Sequence, residues 1–503
     1  MESIDHSVKV TLLGGVGEVG GSIVFLEDMN YQVKIFIDFG INIDKYYDSY
    51  QKGQHPTSIN ELIRARILPS EEYLSISNLY CKELKDGSKQ FKKKNITQYM
   101  KIDEMHPSNL DGILISHPHR DHYFGLAFVN RTIPVYTGVV TKRIIRAMCK
   151  TSAARLENNY HCLNWKLFRT GSIIKIKKLE IVPFHIDHSV PASYGFIIYT
   201  SIGPIIYTGD FRRHGPMSYM TEEFIQETKT HKTYLEKKGE SGSQLTEQSS
   251  RNKLIICEGT KIHKGVVESE KAVEDELERL FISNPYDFII VKYDRTDWDR
   301  FRTFSNLAKK YNWKYIITEK DAYFYYLLNR KAVYDSMKNP NIINDDHIYI
   351  LKEGKVKYPW QEKIRQVLYN HQKGSRFLQN TDLKLFKERF FIYMPFLNVQ
   401  LLQNLDLFRR CIFISSSINP FTEEYFQNTS KIMNFLTPYQ IPGYRIQASG
   451  HAAPHDIINL IEEINPEYLI PIHTEHPDYF KKAFANSDIK VILPKQNEGV
   501  YFK

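Results

Sequence analysis

The stretch Ile113–Leu126, "ILISHPHRDHYFGL", sets an apolar run directly against His117, His119, Asp121 and His122. The run reads as a buried strand, so these polar side chains fall at a strand end. Buried polar groups are costly unless something satisfies them. In an extended loop, residues two apart project to one side. His117 and His119 can therefore reach one point, and Asp121 and His122 another nearby. Neutral imidazole and carboxylate donors suit zinc, and also manganese or iron. One histidine here would read as an ordinary loop residue; the full H-x-H-x-D-H pattern reads as a metal site.

A second metal needs more donors, and other apolar runs end in them. "LEIVPFHIDHSVP" offers His185, Asp187 and His188, and "IIYTGDFRR" ends on Asp210. "YLIPIHTEHP" ends on His473, and "RIQASGHAAPHD" places His451 behind Ser449 and Gly450. Gly15–Gly20 is a literal G-x-G-x-x-G with Asp38 downstream. A dinucleotide site needs a helix after its glycines. Here "SIVFLEDMNYQVKIFID" follows, which reads as two strands joined by a polar turn. A glycine-rich turn between strands, lying beside a site, is the expectation.

Composition bounds the rest. At 503 residues the chain has room for two or three domains. A net charge of +9 permits a polyanionic partner without requiring one. No stretch is long and apolar enough to span a bilayer, and "MESIDHSVKV" lacks the apolar core of a signal peptide. Five scattered cysteines suit reduced thiols, so a cytoplasmic location is expected. From Val8 to about Thr260, short β-branched runs alternate with turns. Residues 46–105 and 221–252 interrupt them and read as a polar surface insertion and a mobile loop. Residues 261–440 alternate strand and helix, as in "FIIVKYD", "DRFRTFSNLAKKY" and "KYIITE", predicting an αβ unit with a partly parallel sheet. The β-rich style returns in 441–503.

In chain order, "LLGGVGEVGGSIVF", "FIDFG", "ISHPHRDH", "DHSVPASYGFIIYT", "YTGDFRR", "IICEGT", "ASGHAAPHD" and "IPIHTEHP" resemble the metallo-β-lactamase-fold nucleases of the β-CASP group, above all ribonuclease J and its relatives. The resemblance spans nearly the whole chain and is weakest in the middle and the two insertions. It implies an αββα sandwich formed by residues 1–260, interrupted by a β-CASP αβ domain over 261–440 and completed by 441–503. It implies that His117, His119 and His188 hold one zinc, that Asp121, His122 and His473 hold a second, and that Asp210 bridges both. Manganese is the alternative metal. His188 is chosen over His185 because the family's histidine directly precedes Ser-Ile/Val-Pro. Asp38 would steady the ligand loop. Glu258 and His451 match the acidic residue and the histidine of the group's own motifs. Three departures stand out: Thr474 replaces a frequent glycine, "ISSSINP" replaces a glutamine-rich loop, and no extra C-terminal domain is expected after "NEGVYFK".

The chemistry implied is phosphodiester hydrolysis with a hydroxide held between two dications, Asp121 being one of the groups that carry it. His451 would protonate the leaving oxygen or clamp phosphate, with Glu258 orienting it. Ser449 and the amides around Gly450 would hold a phosphate. Arg300 falls where relatives keep an arginine facing the cleft, and Arg212 and Arg213 flank the metal motif. Arg295 and Arg302 read equally as a solvated helix face, and Lys92, Lys93 and Lys94 as a solvated loop. The leading expectation is a ribonuclease acting on single-stranded RNA, 5′-exo or endo, with no membrane partner. A DNA nuclease of the same fold and a non-catalytic RNA-binding subunit are the alternatives; a small-ester hydrolase would not need the long insertion before His451.

Overall fold

The computed structural model describes residues 7–50, 54–81, 106–152, 155–160, 162–239, 251–264, 268–283, 286–329, 341–407, 409–416 and 423–503. The first strands are β1 (Val8–Gly14), β2 (Ile23–Asp28), β3 (Val33–Ile37), β4 (Gly112–Ile115), β5 (Pro134–Gly138) and β6 (Asn164–Phe168). They are followed by β7 (Ile174–Ile176), β8 (Leu179–Ile186), β9 (Ser193–Thr200), β10 (Gly203–Tyr207) and β11 (Leu254–Glu258). Then come β12 (Phe288–Lys292), β13 (Lys314–Thr318), β14 (Ile348–Leu351), β15 (Phe377–Leu378), β16 (Phe390–Tyr393), β17 (Cys411–Ser415) and β18 (Gly443–Arg445). The chain ends with β19 (Tyr468–Ile472), β20 (Lys490–Val491) and β21 (Gly499–Phe502).

These strands form three sheets, ordered β21-β1-β2-β3-β4-β5-β6, β20-β19-β11-β10-β9-β8-β7 and β15-β14-β13-β16-β12-β17-β18. The C-terminal strands complete both of the first two sheets, since β21 pairs with β1 and β19 with β11. Successive strand residues face opposite ways. In β4, Leu114 points into a core shared with Ile205, Tyr207 and Phe196 of the second sheet. Its neighbours Ile113 and Ile115 point outward against Phe124 and Phe128. In the second sheet, Ile206 and Ile255 point outward onto Phe224, Leu460 and Ile461. Both faces of each sheet are covered, which is why these strands read as unbroken apolar runs. The layering is an αββα sandwich.

The third sheet is parallel at every pairing among the described residues, more so than the partly parallel sheet expected. Ile289 and Val291 pack to one side with Phe301, Phe304 and Trp313. Phe288 and Ile290 pack to the other with Leu402, Ile432 and Leu436. The helix Val139–Thr151, from the first sheet's side, joins the two bodies: Ile144 and Ala147 enter the third sheet's core.

Two expectations need correction. Residues 54–81 are not a surface excursion, because Ile59, Leu62, Leu74, Leu79 and Tyr80 pack into the outer core of the first sheet. Leu62 and Leu79 are fully buried, and each such side chain contributes about 1.5–3 kcal/mol. Residues 221–238 are not a loop either. Helices Ser218–Thr230 and Lys232–Lys238 occupy them, and the first buries Met220, Phe224 and Ile225. The remainder of both stretches, with Lys92–Lys94 and most of "ISSSINP", lies outside the described residues.

Candidate metal centre

The H-x-H-x-D-H loop leaves the end of β4 and is stitched to its neighbours by backbone. Ser22 N donates to Asp121 O at 3.0 Å, and Phe39 N donates to His122 O at 2.8 Å. The glycines permit this closeness. A Cβ on Gly40 would lie 1.6 Å from Asp121 O, and one on Gly20, at φ +84°, would lie 3.1 Å from Asp121 Oδ2. The G-x-G-x-x-G run is therefore a turn between β1 and β2 that admits the ligand loop, and no helix follows it.

Eight side chains converge, seven from the ends of β4, β8, β10 and β19 and His451 from the turn before the helix Pro454–Ile464. His117, His119, His188 and Asp210 form one group, Asp121, His122 and His473 a second, and Asp210, His451 and His473 a third, each with donor atoms within 4.8 Å of one another. Asp210 lies at the centre. Its Oδ2 is 3.2 Å from His122 Nε2, 3.6 Å from His117 Nε2 and 3.7 Å from His473 Nε2. Asp121 Oδ2 lies 3.1 Å from His473 Nε2. His185 is not brought in; it stacks on Tyr194 at 4.3 Å.

Each imidazole is aimed by its other nitrogen. His117 Nδ1 meets Ser116 Oγ at 2.9 Å, and His122 Nδ1 meets Asp38 Oδ2 at 2.8 Å. His188 Nδ1 meets Gly450 O at 2.5 Å, and His473 Nδ1 meets Thr260 Oγ1 at 2.8 Å. His119 is reversed, with Nδ1 inward, 3.0 Å from His188 Nε2. Asp38 is wholly buried and also accepts from Ser116 N, Ser116 Oγ and Tyr207 OH at 2.8, 2.7 and 2.7 Å. Outer oxygens that fix ring orientation are the usual support of metal-binding histidines. Sequence reasoning found Asp38 but missed Thr260, Tyr207 and the Gly450 carbonyl, which carry no local signature.

A divalent cation fits this arrangement. His117 Nε2 and His122 Nε2 are buried and have no hydrogen-bond partner, although both point at Asp210. Imidazole nitrogen and carboxylate oxygen are the donors zinc and manganese take. The electrostatics agree. Burial, then the charge of His122, holds His117 well below the usual imidazole range, and burial, then His119, does the same to His188. Burial also opposes charge on His122, but Asp210, Asp121 and Asp38 outweigh it and raise that ring well above its ordinary value. Burial works against ionisation of Asp210, yet His122 and His473 hold it well below the carboxylate range. Two imidazoles are thus poised neutral, beside carboxylates that draw positive charge.

His451 packs against the cluster, its ring centroid 5.2 Å from that of His188 and 5.5 Å from that of His473. Its Nδ1 is 3.0 Å from Glu258 Oε1 and 3.9 Å from Asp210 Oδ2. Glu258 is itself held by Thr260 N at 2.9 Å and Phe211 N at 3.3 Å. Ser449 Oγ accepts from His451 N at 3.0 Å, and Ser449 O meets His214 Nε2 at 2.9 Å. The amides of His451 and Ala452 are committed within the protein, the latter to Phe211 O.

The expected phosphate-gripping arginines are engaged elsewhere. Arg300 is fully buried and donates to Glu270, so it does not face the cleft. A desolvated guanidinium is held only by its carboxylates, which makes Arg300 part of the packing. Arg212, also fully buried, binds Asp187 Oδ1 at 3.2 Å, Glu270 Oε1 at 2.8 Å and Asp299 Oδ2 at 2.5 Å. Arg213 pairs with Glu222 and Glu463, Arg295 with Asp321, and Arg302 with Asp299.

Residues 88–230 match the β-lactamase superfamily domain, and residues 444–494 match the Zn-dependent metallo-hydrolase RNA specificity domain. Ribonuclease J of Helicobacter pylori is 22% identical over 479 residues, 93% of this chain and 56% of that protein. Ribonuclease J 2 of Staphylococcus saprophyticus is 22% identical over 403 residues, 78% of this chain and 62% of that protein. The chain thus spans little more than half the length of these curated relatives. A crystal structure of a protein of unknown function from Enterococcus faecalis superposes with a TM-score of 0.69 at 20% identity, covering 99% of this chain and 100% of that one. That likeness speaks for the fold alone. Among the described residues no helix is long and apolar enough to cross a membrane. The sandwich, the two matched domains and the likeness running along 93% of its length give the chain a metallo-β-lactamase fold and a resemblance to ribonuclease J, and they fit a nuclease of the β-CASP type.

Proposed function

We propose that this protein is a metal-dependent ribonuclease that hydrolyses phosphodiester bonds of single-stranded RNA, by 5′-exo or endo attack, in the cytoplasm. The observation that carries the reading is the position of Asp210 Oδ2, within 3.7 Å of three imidazole nitrogens contributed by two facing sheets. His117, His119 and His188 would hold one divalent ion, Asp121, His122 and His473 a second, and Asp210 both. Zinc is the favoured metal and manganese the alternative. When bound, the ions supply an attacking oxygen at neutral pH and neutralise charge on the phosphate.

The chain's own groups supply the rest. Asp38 fixes the His122 ring through Nδ1, so that Nε2 stays aimed inward. Glu258 Oε1 takes the Nδ1 side of His451, which fixes the ring and leaves Nε2 as the nitrogen that would act on the substrate. His451 then delivers a proton to the leaving oxygen, and the turn of Ser449 and Gly450 is where the scissile phosphate would rest. We divide the chain into a sandwich built from 1–260 and 441–503 and an inserted unit over 261–440, with the substrate strand passing between them.

The test uses purified protein with matched 5′-labelled single-stranded RNA and DNA, with and without a chelator, followed by sizing of products. Chelator-sensitive cleavage of RNA ahead of DNA is expected. Faster cleavage of DNA would replace ribonuclease with deoxyribonuclease, and no cleavage of either by metal-loaded protein would overturn the catalytic reading.

A further inference from the structure

From His122 to Leu179 the chain carries eleven Lys and Arg and a single acid, Glu157. That acid does not neutralise the surface, being 3% exposed and turned toward His55 and Arg155. Four of the eleven, Lys142, Arg143, Arg146 and Lys150, lie on the helix Val139–Thr151, which contains no acid. Lys142, Arg146 and Lys150 recur every fourth position, so they form one row rising about 6 Å per step. The opposite face, Ile144, Ile145 and Ala147, is buried. Together with Cys149, Tyr160, Cys162 and Trp165, the row lines a groove of about 180 Å³.

Three observations give this groove a ligand chemistry. No carboxylate among the described residues pairs with Lys142, Arg146 or Lys150, in contrast to the arginines around the metal centre. Burial, then the charge of Arg146, lowers the Lys142 ammonium, so these two cations repel one another. Lys142 Nζ also stands 5.6 Å from the centroid of the Trp165 ring, so an aromatic face lies among the cations. A basic track with an aromatic platform is the usual surface for single-stranded nucleic acid.

The groove leads from the candidate metal centre. The helix follows β5, which pairs in parallel with β4 up to Ile115 and Thr137. His117 lies two residues beyond that pair. Thr141 Oγ1, one residue before Lys142, donates to Ala192 O at 2.9 Å, tying the helix start to the loop that carries His188. We infer that the Lys142–Arg146–Lys150 groove is a second contact site for single-stranded RNA, gripping backbone phosphates of the part of the strand that lies outside the cleft. This rests on the ribonuclease reading for the identity of the polyanion.

The test reads binding separately from cleavage. The full chain is held in chelator, and its affinity for a fluorescent 20-nucleotide RNA is measured against salt. In Lys142→Gln/Arg146→Gln/Lys150→Gln, affinity at low salt should fall by about 10–100-fold, and the slope of log affinity on log salt should become shallower by about two, near 0.7 per lost phosphate contact. Lys363→Gln/Lys384→Gln/Lys387→Gln, with the same charge change on the third-sheet body, should leave the slope within experimental error. Equal losses in both triple variants would reduce the effect to net charge and overturn the site. An unchanged slope in the groove variant, or displacement of RNA by poly-glutamate at equal charge concentration, would overturn it as well, the latter pointing to an acidic protein partner. With metal restored, a four-nucleotide RNA confined to the cleft should be cut equally by wild type and the groove variant. Failure of both to cut it, with the binding loss intact, removes the ribonuclease reading and leaves the groove; normal cutting with no binding loss does the reverse.

Discussion

Two sets of strand ends carry buried charge, and they treat it differently. At the ends of β4, β8 and β19, four histidines have one nitrogen tied to an oxygen and the other turned inward toward Asp210 or its neighbours, and two of those inward atoms have no partner. Where the sandwich meets the third-sheet body, Arg212 and Arg300 meet Asp187, Glu270 and Asp299 in a buried ion-pair network, which leaves Arg300 Nε and Nη1 and Asp187 Oδ2 without a hydrogen bond. Oriented but unsatisfied donors aimed at one point mark a site awaiting a ligand. Guanidinium groups ion-paired to carboxylates mark a joint. Buried charge therefore carries two meanings, and what separates them is whether the cationic side chains are ion-paired within the protein or converge as open donors on one point.

The largest effect tests the centre of the first set. Asp210→Asn replaces a shared carboxylate with one neutral oxygen among three imidazoles. Bound metal should fall from about two ions per chain to one or none, and cleavage should drop by more than about 10⁴-fold. Elemental analysis of the variant decides it; full metal content would remove Asp210 from the bridge. His451→Ala should instead keep its metal and lose about 10²–10⁴-fold in turnover, the usual share of a positioned acid. Metal lost in step with activity would make His451 a ligand, in line with its place 3.9 Å from Asp210 Oδ2.

The joint should respond in stability. Arg212→Met leaves Asp187, Glu270 and Asp299 buried without their shared partner, which costs about 3–5 kcal/mol. Chemical denaturation of the metal-free protein checks this, and a loss under about 1 kcal/mol would mean that the network holds little together. Asp187 is the sensitive member: burial pushes it up to about 6 even with Arg212 in place. Asp38→Asn belongs to the first set but acts one bond back. Its carboxylate takes four hydrogen bonds, and an amide offers one accepting oxygen. Metal affinity should weaken by about 10–100-fold, read by competition with a chromophoric chelator. Unchanged affinity would show that His122 holds its orientation without Asp38.

How much of this was legible in the sequence follows from distance along the chain. The strands from "VKVTLL" to "KLIICEGT" and the H-x-H-x-D-H loop are local patterns, and each stands where it was expected. Asp210 and His473 were legible because each closes an apolar run, whereas His188 was separated from His185 and Asp187 only by the family resemblance. The arginines were not. Arg212 finds its partners 58 and 87 residues away, and no local feature distinguishes a guanidinium facing phosphate from one facing Glu270. Residues 54–81 misled for another reason. The polar run "KELKDGSKQFKKKN" that follows them outweighed the apolar side chains, Leu62 and Leu79 among them, that reach the core. The Val139–Thr151 helix was missed because its apolar residues mix with arginines and lysines, yet its buried face spans two cores.

The smallest effect draws the boundary of the joint. Arg213 is adjacent in sequence to Arg212 and, like it, is paired with carboxylates. It binds Glu222 Oε1 at 2.7 Å and Glu463 Oε1 at 3.2 Å, with side-chain exposures of 17% for the arginine and 43% and 33% for the acids. Water can replace either partner, so the exchange of contacts on unfolding is nearly even. Arg213→Ala should therefore cost only about 0.2–1 kcal/mol, and less at high salt. Denaturation of this variant beside Arg212→Met, in low and high salt, makes the comparison within one dipeptide. If the two losses are equal, burial does not divide the joint from the surface, and the contrast between ion-paired side chains and open donors must rest on geometry at the metal centre alone.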